Sequence, residues 1–329
     1  MDVRWDLREA LDVELGRVAP QRLARATAAL VERYRSGQPA AGGVFVESAE
    51  DIAAYAAYRM PATFAAIAAA LTHLREQWPG DEPRSLLDVG AGPGTALWAA
   101  QAVWPSLERA LLLERDERLI AFGKRLAARA DAPTIREARW QQADLLAPWD
   151  AAEHDLVVSA YVLNELPEER RAEVIEALWA KARGGLLLLE PGTPAGFARI
   201  REARRQLLAA GATVLAPCPH DRACPMPGDD WCHFGQRINR TRTHREAKGA
   251  TLSYEDEKFS YVAVSRQAGP AIGARIVRRP QILPGRVVLH LCTPAGLRVE
   301  VATRGKDREA FREARDLRWG DALVGEADL

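Results

Sequence analysis

The chain has 329 residues, 48% hydrophobic and 27% charged, with a formal net charge of zero. That length allows about two or three domains, and the ordinary composition excludes a disordered, collagen-like or membrane-embedded protein. No apolar run approaches the roughly 18 residues of a membrane span, and the first segment, MDVRWDLREALDVEL, has no apolar stretch of the signal-peptide kind.

Residues 1–80 read as helices. QRLARATAALVERYRSG has helical spacing and stops at Gly37. SAEDIAAYAAYRMPATFAAIAAALTHLREQW opens on a capping-box-like Ser48–Asp51 pair, and Pro61 is expected to break or kink it. A PGDEPRS linker follows. From Ser85 the pattern becomes short apolar runs (SLLDVG, ALLLER, HDLVVSA, GLLLLEP) alternating with helical ones (TALWAAQAVW, RLIAFGKRLAARA, PEERRAEVIEALWAKA). Such alternation implies parallel strands in a doubly wound α/β sheet covered on both faces. FARIREARRQLLAAG is a further helix and FSYVAVSR a further strand. VVLHLC and LRVEVAT read as a hairpin, followed by the polar helix KDREAFREARDLRW. The expected divisions are an N-terminal helical region, 1–80, a Rossmann-like domain, 81–266, and a basic C-terminal extension of hairpin and helix, 267–329. A cysteine-rich insertion occupies 212–250.

A glycine loop, Asp88-Val-Gly-Ala-Gly-Pro-Gly-Thr95, follows the first apolar strand and opens a helix. Gly90, Gly92 and Gly94 allow a tight turn and close approach of backbone to ligand. An acid, Glu114, ends the next strand and can accept both ribose hydroxyls of a nucleoside. The dinucleotide form G-x-G-x-x-G needs Gly at position 95, which is Thr. With Asp144 placed to contact an adenine, the set resembles the S-adenosylmethionine site of class I methyltransferases. Asn164 and Glu165, in SAYVLNEL after the fourth strand, are the candidate catalytic residues. That segment lacks the Asp/Asn-Pro-Pro-aromatic loop of amino-methylating enzymes, so retained methyl transfer is left open.

All four cysteines belong to one pattern: Cys218, Cys224 and Cys232 in C-x5-C-x7-C, and Cys292 after 59 more residues. Their Pro-, Gly- and Asp-rich flanks suit a metal or an iron–sulfur cluster, and four thiols without other signs of secretion are read as reduced ligands. The spacing fits neither paired zinc knuckles nor the ferredoxin pattern, so it leaves zinc and iron–sulfur both open. His220 and His233 lie beside the thiols. A radical S-adenosylmethionine enzyme is disfavoured, because its three-cysteine C-x3-C-x2-C pattern is absent. Five Arg/Lys against one Glu between Phe234 and Lys248 form a basic run, Arg237, Arg240, Arg242, Arg245 and Lys248, with the composition of a phosphate-contacting RNA surface. A second basic stretch, Arg275 to Arg318, has eleven Arg/Lys against five Asp/Glu.

CPHDRACPMPGDDWCHFGQR, YEDEKFSYVA, YAAYRMPATFAA and DVGAGPGT together resemble the methyltransferase-like assembly factors of the mitochondrial small ribosomal subunit and their bacterial relatives. The likeness runs from about residue 40 to the C-terminus. It implies a 4Fe–4S cluster on Cys218, Cys224, Cys232 and Cys292, with zinc the alternative. It also implies binding to the small ribosomal subunit or its rRNA. Neither DNA nor a membrane is an expected partner. The mitochondrial members' targeting extension is not seen, so a bacterial cytoplasmic location is expected.

Overall fold

The computed structural model describes residues 3–36, 48–239 and 254–324. The chain divides into two compact units, each assembled from separate stretches: Met1–Ala69, Arg84–Asp150 and Gln236–Glu257 form one; Ala70–Pro83, Ala151–Gly235 and Lys258–Leu329 the other.

The first unit opens with α1 (Trp5–Leu15), α2 (Pro20–Ser36) and α3 (Ala49–Tyr58), followed by the start of α4 (Met60–Arg75). Ser48 caps α3 by accepting from the Asp51 amide at 3.0 Å, while Asp51 accepts the Ser48 amide at 3.3 Å. The chain breaks at Arg59, and Pro61 falls in the first turn of α4, where a missing N–H costs nothing. Three parallel strands follow in the order β3-β2-β1: β1 (Ser85–Val89), β2 (Arg109–Glu114) and β3 (Arg139–Gln142). Between them lie α5 (Thr95–Val103), α6 (Glu117–Ala127) and the single turn α7 (Pro133–Arg136). β1 is buried at every position, as a strand covered on both faces must be.

In the second unit the order is β4-β5-β8-β6, formed by β4 (His154–Ala160), β5 (Ala182–Pro191), β6 (Thr213–Ala216) and β8 (Tyr254–Ser265). β4 and β5 are parallel; β8 runs antiparallel to both β5 and β6. Helices α8 (Arg171–Lys181) and α9 (Pro194–Ala209) connect these strands. The orders 3-2-1 and 4-5-8-6, with one reversed strand next to the last, are the strand orders of the class I methyltransferase fold. The fold is therefore α/β of that class.

β7 (Phe234–Asn239) pairs with β8. A smaller five-stranded sheet completes the second unit: β9 (Ala274–Ile276), β10 (Gln281–Leu283), β11 (Arg286–Thr293), β12 (Gly296–Thr303) and β13 (Ala322–Leu323). α10 (Arg308–Asp316) lays Phe311 and Ala314 over its apolar face, on Ala274, Ile276, Val287, Leu289, Leu291 and Ala302. The basic run is partly a strand rather than a loop surface: β7 buries Ile238 against Ala62 and Ala65.

Candidate functional site

The glycine loop leaves the end of β1 and turns back onto β2, with the amides of Gly90 and Ala91 both donating to the Leu113 carbonyl (2.9 and 3.0 Å). Gly90, Gly92 and Gly94 have φ of 70°, 55° and 85°, the left-handed region that other residues enter at a cost. At Gly94 space is limiting as well, since a Cβ would stand 3.1 Å from the Trp140 ring. Glu114 is buried at the end of β2 and grips the loop: Oε2 accepts the Gly92 amide at 2.8 Å and Oε1 the Asp116 amide at 3.0 Å. Its first role is thus to hold the loop's shape.

Asp88 is 2% exposed, and its Oδ2 has no hydrogen-bond partner. Burial, reinforced by the charge of Glu114, pushes its carboxyl up to about 8. Asp144 is exposed, and its Oδ1 accepts the Leu146 amide at 2.9 Å. Asp88, the three glycines and Glu114 are thus brought together by β1, β2 and the turn into α5, with Asp144 beyond the end of β3.

Asn164 and Glu165 lie in the segment after β4. Asn164 is half-buried with Oδ1 unpaired, and Glu165 is exposed. Tyr161 just before them has φ 61°, unusual for a bulky residue, and its amide donates to the Leu189 carbonyl at 2.7 Å. Sequence reasoning missed Glu190, which lies beside Leu163 and Asn164 of this segment. It is fully buried at the C-terminal end of β5. There its Oε2 accepts Arg199 Nε at 2.6 Å, while its Oε1 has no hydrogen-bond partner. Burial raises its carboxyl above the usual range against the pull of Arg199. The available signal was an acid ending an otherwise apolar strand, where ligands gather in α/β sheets.

The four cysteines line a single cavity of about 40 Å³. Cys218, Cys224 and Cys232 come from the irregular segment between β6 and β7, and Cys292 from β11. Arg204, Met226, Phe234 and Tyr261 share the wall. Burial, with repulsion from the other thiols, pushes Cys292 up to about 12 and Cys232 well above the ordinary thiol value. Burial raises Cys218 too, opposed by Arg204 and Arg275. His220 Nε2 is 3.8 Å from Cys292 Sγ. His233 instead stacks on Trp231, with ring centroids 5.2 Å apart, and meets Trp319 edge-on. Phe259 and Tyr261 belong to the core, and the Tyr261 hydroxyl lies 2.7 Å from Nδ1 of half-buried His73, whose pKa desolvation lowers to about 3.

Among the described residues no three His, Cys, Asp or Glu side chains are grouped as a single metal ion requires. Four thiols around one cavity are a donor set that both zinc and iron–sulfur sites use.

Of the basic run only Arg237 is described; Arg240, Arg242, Arg245 and Lys248 lie outside the described residues. Arg237 forms a two-pronged ion pair with Asp256 (2.7 and 2.9 Å) and stacks 4.0 Å above the Tyr254 ring. Arg59 engages Glu257 in the same way. The acids of YEDEKFSY thus offset part of the basic run, which its own composition did not reveal.

A profile of the family described as mitochondrial small ribosomal subunit Rsm22 matches residues 49–324. The Homo sapiens ribosome assembly protein METTL17, mitochondrial, is 31% identical over 291 residues, covering 82% of this chain and 61% of that protein. The Schizosaccharomyces pombe Rsm22-cox11 tandem protein 2, mitochondrial, is 25% identical, with 82% of this chain and 42% of that protein covered. The chain thus spans less than two thirds of the length of these curated relatives. Among solved structures, magnesium protoporphyrin IX methyltransferase from Synechocystis with bound SAH aligns at 13% identity and a TM-score of 0.41, covering 72% of this chain and 94% of that one. Both curated relatives are mitochondrial proteins, which overturns the expectation of a cytoplasmic one. That expectation rested on the missing likeness to the mitochondrial members' targeting extension, which does not discriminate between compartments.

Proposed function

The chain belongs to the mitochondrial small ribosomal subunit Rsm22 family, and from that premise we propose that it is a methyltransferase-like factor that assembles the small ribosomal subunit by binding its rRNA. It binds S-adenosylmethionine at the glycine loop and holds a 4Fe–4S cluster on Cys218, Cys224, Cys232 and Cys292. The observation that carries this reading is the convergence of all four cysteines on one cavity within a methyltransferase sheet that has no use for them. The donor set fits the group: four thiols, no carboxylate in the wall among the described residues, and guanidinium groups facing them. When bound, the cluster supplies a one-electron couple and a cross-link between the cysteine segment and β11. S-adenosylmethionine supplies an activated methyl group and a cationic sulfonium, which suits the acids of its loop. Glu114 holds the loop and meets the ribose, while Glu190 and Asn164 shape the segment after β4. The cysteine-rich insertion, 212–250, and the extension, 267–329, form the additions that adapt the methyltransferase domain, 81–266, to the ribosome.

The test is sedimentation of anaerobically purified protein with immature small subunits in the presence of tritiated S-adenosylmethionine. Comigration with the particle is expected, and protein remaining at the top of the gradient contradicts the reading. Label recovered in the rRNA or in a ribosomal protein assigns methyl transfer in addition to assembly.

A further inference from the structure

Two arginines are buried beside the thiols without a carboxylate to balance them fully. Arg204, on α9, is 5% exposed, and Arg275, on β9, is wholly buried. They hold the cysteine segment by its main chain on either side of Cys218. Arg275 Nε donates to the Pro217 carbonyl at 3.0 Å, and Arg204 Nη2 to the His220 carbonyl at 2.7 Å. Arg275 also faces Cys292 across the β9–β11 pairing and ties in the C-terminal segment through the Gly320 carbonyl at 2.8 Å. Its nearest acid is half-exposed Glu76, 3.6 Å from Nη1.

Each arginine keeps one buried donor without an acceptor: Nε of Arg204 and Nη2 of Arg275. An unsatisfied buried donor costs on the order of 1–3 kcal/mol, more for a charged group, and native interiors rarely carry two beside one cavity. A buried guanidinium is also costly without a counter-charge. Four thiolates around iron and sulfide carry net negative charge and many acceptor positions, answering both deficits at once. Hydrogen bonds to cluster sulfurs and nearby charge are the levers by which a protein sets a cluster's potential.

We infer that Arg204 and Arg275 are the charge-balancing and hydrogen-bonding residues of the four-cysteine site, raising the reduction potential of the cluster it holds and slowing its loss. This rests on the cluster reading above. The removal of positive charge disfavours adding an electron, so Arg204→Gln should move the midpoint potential to more negative values and speed iron release to a chelator. Arg204→Lys, which keeps the charge but lacks the planar fork, should fall between the variant and the parent. Arg205→Gln is the control, because Arg205 is an exposed neighbour on α9 that pairs with Glu202.

The experiment is a redox titration of anaerobically purified full-length protein, followed by electron paramagnetic resonance, with chelator-release kinetics alongside. Parent protein that takes up no iron overturns the cluster reading itself. Parent protein with a cluster, but with Arg204→Gln matching it in potential and release rate, overturns the inference alone. Should Arg204→Gln fail to fold, Arg204→Lys decides: a negative shift supports the inference, and the parental potential contradicts it.

Discussion

At the glycine loop the buried acids are Asp88, which keeps its proton up to about pH 8, and Glu114, which organises the backbone amides of Gly92 and Asp116. Around the cysteine pocket the buried charges are guanidiniums, Arg204 and Arg275, and the groups they face are thiols and main-chain carbonyls. The first environment suits a ligand with hydroxyl donors and a positive centre. The second suits an anion. Their construction differs too. The loop is one continuous turn between β1 and α5, whereas the pocket exists only when α9, the cysteine segment, β9 and β11 are all in place.

That difference can be broken most forcefully at the pocket. Cys292→Ser should be as damaging as Cys218→Ser although the two residues lie far apart in sequence, because each supplies one corner of the same site. Both variants should lose most bound iron and melt at lower temperature than the parent. Full iron content in Cys292→Ser would remove β11 from the site.

Next in size, Glu114→Ala should weaken S-adenosylmethionine binding by about 1.5–3 kcal/mol, the range for hydrogen bonds to a charged group. Part of the loss comes from the ribose and part from releasing the Gly92 and Asp116 amides. Titration calorimetry that returns the parental affinity would sever the acid from the ligand.

A smaller effect separates the two regions by pH. The carboxyl of Asp88 is raised from 3.8 to about 8 in the fold. The folded chain therefore retains a proton that the unfolded chain has released across this interval, and stability falls as pH rises from about 4 to about 8. Asp88→Asn should flatten this part of the profile, measured as the urea midpoint against pH. An equal alkaline loss in parent and variant would place the cause elsewhere.

The smallest effect belongs to Arg237. Because Asp256 already pairs with it, Arg237→Ala alone should leave the melting temperature and the salt dependence of rRNA binding unchanged. Replacing Arg240 and Arg245 should lower the log–log salt slope by about 0.7–0.9 for each phosphate that is no longer neutralised. If Arg237→Ala alone flattens the slope by that amount, its ion pair opens on RNA.

The glycine loop is legible in the sequence because its signal is local: three glycines, a preceding strand and an acid closing the next one lie within 27 residues, from Asp88 to Glu114. β1, β2, β4 and β5 are readable as apolar runs bounded by turns. β3, β6, β9, β10 and β13 are not. They are two to four residues long and are strands only by virtue of what they pair with. The same limit hides Arg204 and Arg275. One is an ordinary cation in FARIREARRQLLAAG, and the other falls in a basic stretch. Only the folded chain buries them beside thiols. β7 reads as surface because its arginine dominates the composition, while Ile238 is what anchors it.

The most direct measurement is the visible spectrum, with iron and zinc content, of protein purified without oxygen. A four-cysteine cluster site requires brown protein with broad visible absorption and about four irons per chain. Colourless protein carrying one stoichiometric zinc, or no metal after reconstitution with iron and sulfide, would contradict it.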